Sequence, residues 1–337
     1  MRKHHRHRRR PTGIRLVVLL ICIAAIYASI LLGIQVIGNR LEKQEVMEPF
    51  GSLEGRFDSD RLTFSYGGRT WTYRERALTN MLIMGVNWAD EGQSGSSARD
   101  GGQADFLLLV TFDRENQTIS ALQIDRDTMT TVKSGDDTGQ RMGRICLSYA
   151  YGNADTERCE NTVGAVSSLL GGIPIDSYVS LDTESIAVLN DALGGMTVTL
   201  EDDFTQWDPA MAQGSTLTLQ GKQAEYYVRG CTGAGEDVNL SRMKRQLVFV
   251  QAVSDQIIRR MNQDPNSIGA LVERLSDHMM IDLDQSELIH TVYESRAYQQ
   301  GEPQSLAGSY RVGEDGFMDF WADEDALGRL LTHTFFE

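Results

Sequence analysis

The 337 residues show two kinds of hydrophobic patterning, a long uncharged run and then short apolar segments at strand and helix spacing. Residues 16–37 carry no formal charge. As a helix rising about 1.5 Å per residue, this run would be roughly 33 Å long, enough to cross a bilayer's hydrocarbon core. Residues 38–60 read as a polar, partly helical connector. Residues 62–66 and 69–73 predict two strands joined by a Gly67-Gly68 turn. Residues 80–86 form an apolar run of strand length, followed by a Gly/Ser/Asp-rich loop over 88–103. Residues 106–112 and 118–124, separated by Asp113-Arg-Glu-Asn116, predict an antiparallel hairpin buried on both faces.

Helical periodicity dominates afterwards. It covers 160–170, stopped by Gly171-Gly172-Ile173-Pro174, and 183–193, capped by Thr183 and ended by Gly194-Gly195. It returns at 221–227, 240–261, 265–276, 284–298 and 324–332, with strands predicted at 177–181 and 196–200. Strands interleaved with helices predict an α/β fold with a mixed central sheet flanked by helices, here preceded by one transmembrane helix.

Charge sharpens the reading of the apolar run. Arg2, Lys3, Arg6, Arg8, Arg9, Arg10 and Arg15 precede it, and a short basic flank of this kind stays in the cytoplasm. A cleaved signal peptide has an apolar core of only about 7–15 residues and a small-residue cleavage site, which this run lacks. The expected layout is a cytoplasmic tail over 1–15, a single-pass cell-membrane span over 16–37, the connector over 38–60 and an extracytoplasmic domain over 61–337. Residues 38–337 hold all 47 acids and 25 of the 32 bases (seven lie in the tail), a net charge of −22. Such a surface repels nucleic acid, so none is expected as a partner. Cys146, Cys159 and Cys231 lie in the exported part, where disulfides persist. Cys146 and Cys159 flank a Gly/Asn/Asp-containing loop and are the expected pair, three free thiols being the alternative.

Four places could carry chemistry. Asn87 ends a strand, Asp105 opens one, and Asp125-Arg126-Asp127 ends the returning strand. Arg229 precedes Ser241-Arg-Met-Lys-Arg-Gln246, where Arg242 and Gln246 share a helix face with Arg245 beside both, and Lys244 adds to the local group of cations. Arginine's planar fork suits phosphate, and a carboxylate beside such a group suits Mg²⁺. These residues point to an anion site. They fit equally well with surface cations pairing with the many acids.

At this point the chain resembles the LytR-CpsA-Psr proteins of Gram-positive bacteria. The matching stretches are Asn80-Met-Leu-Ile-Met-Gly85, Ala104-Asp-Phe-Leu-Leu-Leu-Val110, Ile124-Asp-Arg-Asp-Thr128, Tyr149-Ala-Tyr-Gly152, Asp191-Ala-Leu-Gly-Gly195, and Tyr227-Val-Arg229 with Arg242-Met-Lys-Arg-Gln246. They occur in the family's order over residues 79–255. The resemblance implies a membrane-anchored transferase that moves a polyprenyl-pyrophosphate-linked glycopolymer, of teichoic acid or capsule type, onto peptidoglycan by phosphoryl transfer. It implies catalytic roles for Asp105, Arg126 and Asp127. Arg126, Arg229, Arg242 and Gln246 would bind pyrophosphate, and Asp105 with Asn87 would hold Mg²⁺.

The chain departs from the family's pattern at several of these positions. Asn87 stands where an Asp is common, Gln103 where an Arg precedes Ala-Asp, and Asp125 where a Pro precedes Arg126. Cys231 replaces a second Arg, and Asn239 replaces an Asp three residues before Arg242. An envelope protein that binds or regulates lipid-linked glycans without catalysis is therefore the alternative. A pyrophosphatase, releasing product without an acceptor, is a third reading. Trp88 could stack on a sugar or pack locally, and Tyr149 and Tyr151 are expected to pack.

Overall fold

The computed structural model describes residue 53 and residues 56–87, 102–133, 139–231 and 236–337. The expected span over 16–37, the loop residues 88–101 and Trp88 lie outside the described residues. No helix among the described residues is long and apolar enough to cross a membrane.

A seven-stranded mixed sheet organises the domain. In chain order its strands are β1 (Leu78–Asn87), β2 (Gln103–Asp113), β3 (Thr118–Ile124), β4 (Ser177–Leu181), β5 (Met279–Ile281), β6 (Gln299–Gln300) and β7 (Gln304–Ser305). The lateral order is β5-β4-β1-β2-β3-β6, with β7 also against β3. The β1–β2 and β2–β3 pairs are antiparallel, whereas β4 runs parallel to β1. The predicted hairpin is therefore the sheet's centre. Its continuous apolar pattern follows from burial on both faces.

Helices cover those faces. They are α1 (Asp155–Leu169), α2 (Glu184–Ala192), α3 (Lys222–Arg229), α4 (Glu236–Gln263), α5 (Ser267–Leu275), α6 (Gln285–Ser295) and α7 (Glu324–Phe335). Strand alternation divides the core in two. Leu82, Met84 and Val86 of β1 pack with Val166 and Leu169 of α1 and Leu331 of α7. Met81, from the opposite face, packs with the layer containing Phe249 of α4, Leu271 of α5 and Leu288 of α6.

The structure corrects several expectations. Phe57–Asp58 pairs with Phe64 and Thr63, and Leu53 is buried, so the end of the expected 38–60 connector belongs to the domain. The backbone N–H of Ser185 donates to Asp182 Oδ1 at 2.8 Å, so Asp182 rather than Thr183 caps α2. Two hairpins arise where no strand was expected, Met129–Lys133 with Gln140–Arg144 and Gly308–Val312 with Met318–Ala322. Cys146, Cys159 and Cys231 are free thiols, not a disulfide pair and a remainder. Cys146 Sγ faces Arg126, whereas Cys159 Sγ lies 3.9 Å from the Met280 sulfur, so the two thiols meet different parts of the domain.

Candidate functional site

Antiparallel pairing brings the expected strand-end residues to one end of the sheet. Asn87, the last residue of β1, lies opposite Gln103, the first of β2, and Ile124 at the end of β3 lies opposite Leu107. The register shifts between Gly85, opposite Phe106, and Val86, opposite Ala104, leaving Asp105 as an extra, bulged residue. A bulge re-aims side chains, and Asp105 accordingly lines the same cavity as its neighbour Phe106. Gly85 permits this close approach, since a Cβ there would meet Phe106 Cβ at 3.1 Å.

After β3 the chain turns tightly around Asp125. The Thr128 N–H and hydroxyl donate to the Asp125 carbonyl at 3.0 and 2.6 Å, and the Asp127 N–H donates to the Asp125 carboxylate at 2.8 Å. Arg126 projects from this turn. It forms an ion pair with Asp105, donates to Gln103 Oε1, and lies 3.6 Å from both Asp127 Oδ1 and Cys146 Sγ. Burial works against its charge, but the Asp105 and Asp127 carboxylates outweigh burial and hold the guanidinium protonated. Burial pushes the Asp127 carboxyl up to about 6; Arg126 opposes that rise and Asp125 adds to it. Burial likewise pushes the Cys146 thiol up to about 11, so it stays neutral.

Helix α4 supplies the opposite wall. Asn239 donates to both Asp125 carboxylate oxygens and, at 3.4 Å, to Asp127. Arg242 donates to Asn239 Oδ1 at 2.5 Å and contacts Cys231 Sγ at 3.8 Å. Arg245 is buried and points elsewhere. Its guanidinium donates to the Tyr227 and Gly230 carbonyls at the end of α3, to Ser241 and to Asp202. It thereby satisfies the open carbonyls of a helix terminus. Arg229 pairs with Glu225 at 3.3 Å, and Gln246 accepts from Gln123 at 3.2 Å.

Two spaces meet at Arg126 and Asp105. An apolar cavity of about 320 Å³ runs between the sheet and helices α2, α4, α5 and α6, lined by Ile186, Val253, Leu271 and Val292 among others. Asp105, Asn87, Arg229 and Gln246 are its polar lining on the site side. A polar cleft of about 340 Å³ is lined by Arg126, Asp127, Arg242, Asn239, Arg144 and Tyr310. The seven expected site residues thus divide between two adjoining spaces, and the Arg126–Asp105 ion pair bridges them.

Sequence reasoning missed Tyr310, whose hydroxyl donates to Asp125 across 185 residues of chain. It also missed Arg144, which pairs with Asp315 and Asp319. Neither lies in a recognisable motif. Among the described residues no three His, Cys, Asp or Glu side chains gather as a complete metal site. The donors on the site side of the apolar cavity are one carboxylate, Asp105, and one amide, Asn87, on a shared wall. That set suits Mg²⁺ only as a site completed by phosphate oxygens and water, the coordination this hard cation commonly takes. Asp125 offers it nothing, because its carboxylate already accepts from Asp127, Asn239 and Tyr310.

The chain's relatives share this fold. TagV of Bacillus subtilis, a polyisoprenyl-teichoic acid–peptidoglycan teichoic acid transferase, is 29% identical over 198 residues, which are 58% of this chain and 44% of TagV. The transferase of the same description from Halalkalibacterium halodurans, TagU, is 28% identical over 206 residues, 60% of each chain. The chain spans about half the length of the curated relatives it matches. The crystal structure of Bacillus subtilis TagV superposes with a TM-score of 0.56 at 24% identity, covering 76% of this chain and 96% of that one. Residues 55–332 match the LytR_cpsA_psr family, and the chain belongs to it.

Proposed function

We propose that the protein is a membrane-anchored transferase attaching a polyprenyl-pyrophosphate-linked glycopolymer, of teichoic acid or capsule type, to peptidoglycan. The observation that carries this reading is the position of Arg126, at the border between an apolar cavity and a polar cleft. A pyrophosphate lipid needs that sequence of environments: apolar lining for its chain, cations for its phosphates, polar space for its glycan. The uncharged run over 16–37 would tether the domain, with 61–337 outside, beside the leaflet presenting such a lipid.

In this reading the prenyl chain enters the apolar cavity, and Arg229 and Gln246 hold the lipid-side phosphate at its polar end. Arg126 and Arg242 neutralise the glycan-side phosphate from the cleft. An acceptor sugar hydroxyl attacks the glycan-side phosphorus. A new P–O bond forms to the acceptor, and the bond to the bridging oxygen breaks. Polyprenyl phosphate leaves with that oxygen. The hydroxyl proton passes to Asp127, whose elevated pKa near 6 suits a base working around neutrality. Phosphoryl transfer depends mainly on positioning and charge neutralisation, which the guanidinium groups supply. Mg²⁺, held by Asp105 and Asn87 with substrate oxygens, would add charge neutralisation when bound.

One observation favours the non-catalytic alternative: Arg126 is already engaged by Asp105, Asp127 and Gln103. Incubating the purified full chain with lipid-linked glycopolymer, peptidoglycan and Mg²⁺ separates the readings. Wall-bound glycan together with released polyprenyl phosphate supports transfer. Donor binding without product supports the alternative, and release without acceptor supports a pyrophosphatase.

A further inference from the structure

We propose that the hairpin Gly308–Val312/Met318–Ala322 is a clamp that aims Arg126 at the phosphates, with Tyr310 as its positioning residue. Tyr310 and Phe320 face each other across this hairpin, their ring centroids 5.0 Å apart in an edge-on contact. The pair grips the chain on either side of Arg126. The Tyr310 hydroxyl donates to the Asp125 carboxylate, and the Phe320 N–H donates to the Asp127 carbonyl at 2.8 Å.

Asp125 is the point on which the clamp closes. It is 3% exposed, and donors from separate elements converge on its carboxylate. The turn supplies the Asp127 N–H at 2.8 Å, α4 supplies the Asn239 amide at 2.9 and 3.0 Å, and the hairpin supplies Tyr310. A buried carboxylate is costly unless such donors satisfy it, so it locks together the elements that supply them. Burial and Asp125 both push the pKa of the Tyr310 hydroxyl up, so it stays protonated and keeps its role as a donor. With residues 125 and 127 both held, the backbone of Arg126 is fixed between them. Its guanidinium meets Asp105, Gln103 and Asp127 at the border of the polar cleft, which Tyr310 also lines. A guanidinium fork delivers paired hydrogen bonds to phosphate only when its plane is aligned with the oxygens. A misplacement of about 1 Å can forfeit much of what such a group supplies, so anchoring both neighbours of Arg126 bears directly on anion recognition.

The inference rests on the proposed transfer only for the identity of the anion that Arg126 meets. It is tested on the full chain with wild type, Tyr310→Phe, Arg126→Lys and the double variant. Val312→Ala, at a residue of the same hairpin that is 71% exposed, is the control. Tyr310→Phe keeps the ring and its packing on Phe320 and removes only the donor. Calorimetry with inorganic pyrophosphate and Mg²⁺ reads the anion site directly, and transfer kinetics with the lipid-linked donor read kcat and KM. Tyr310→Phe is expected to weaken pyrophosphate binding about fivefold, and Arg126→Lys about tenfold because an ammonium lacks the fork. The double variant should bind within about twofold of Arg126→Lys, since without a fork there is nothing to aim. Val312→Ala should bind like wild type. Unchanged binding by Tyr310→Phe, or losses that multiply in the double variant, overturns the clamp, because a contact serving only the fold weakens both backgrounds alike. Coupled losses without transfer leave the clamp standing and remove the transferase reading. Transfer by wild type and by Tyr310→Phe with equal kcat and KM overturns the clamp and leaves that reading intact. Absence of pyrophosphate binding by wild type also overturns the clamp, and transfer then decides the reading separately.

Discussion

Asn239 donates its side-chain amide to both oxygens of the Asp125 carboxylate, at 2.9 and 3.0 Å. Both positions depart from the family's pattern, which commonly has Asp at the first and Pro at the second. The structure shows that the two departures touch. A carboxylate at 239 would face the buried Asp125 and neighbouring Asp127 with no proton to donate. Asn239→Asp is therefore expected to lose about 1–3 kcal/mol of stability. Adding Asp125→Asn should recover most of that loss. Urea unfolding of the two single variants and the double variant checks this; additive effects would show that the pair is not coupled.

The Asp127 carboxyl, pushed up to about 6, gives two pH dependences of opposite direction. As a base it must be unprotonated, so kcat/KM should fall about tenfold per pH unit below about 6. For stability, a carboxyl near 3.9 when unfolded and about 6 when folded binds its proton more tightly in the folded protein. Stability should thus decline as pH rises from about 4 to about 6 and then level off. Asp127→Asn should remove that decline, as followed by thermal unfolding across pH, and should abolish the acid limb along with most activity.

Arg245 sits in the same motif as Arg242 but serves the fold. Its guanidinium reaches two carbonyls at the end of α3, Ser241 and Asp202, while burial pulls its pKa down. Arg245→Ala should cost about 3–5 kcal/mol in chemical unfolding, because Asp202 and the carbonyls lose their donor. Arg245→Lys should recover little, since an ammonium cannot span that fork of acceptors.

These contacts also show what the sequence made legible. The apolar runs over 106–112 and 118–124 announce the central hairpin because both faces of that part of the sheet are covered. Gly67-Gly68 announces its turn, since φ is +60° and +71° there and only glycine takes such angles freely. Gly194 and Gly195, at φ +91° and +86°, likewise mark the end of α2. The strand-end positions of Asn87, Asp105 and Arg126 follow from antiparallel pairing and are legible once the hairpin is drawn. The bulge that turns Asp105 into the apolar cavity is not, because register depends on the partner strand. Tyr310 and Arg144 escaped for a related reason. They reach the site through hairpins whose mixed polar patterns resemble loops, and Tyr310 meets Asp125 only through tertiary packing.

The apolar cavity should be the lipid site. Val253 on α4 lines it, and Val253→Trp would fill space rather than crowd the core. The expected outcome is at least a tenfold rise in KM for a long-chain prenyl donor, with the unfolding midpoint within a few degrees of wild type. A donor bearing a short prenyl chain should be much less affected. Equal sensitivity of both donors would place the chain elsewhere.

The central claim is that the glycan-side phosphorus is transferred and the lipid-side phosphate departs with the prenyl chain. The most direct test is a donor carrying ³²P at the glycan-side phosphate, incubated with full-length protein, peptidoglycan and Mg²⁺. Label bound to peptidoglycan, one unlabelled polyprenyl phosphate released per transfer, and loss of both in Arg126→Ala are the predicted result. Label released as inorganic phosphate or pyrophosphate, or retained on the lipid while unphosphorylated glycan joins the wall, would contradict the account.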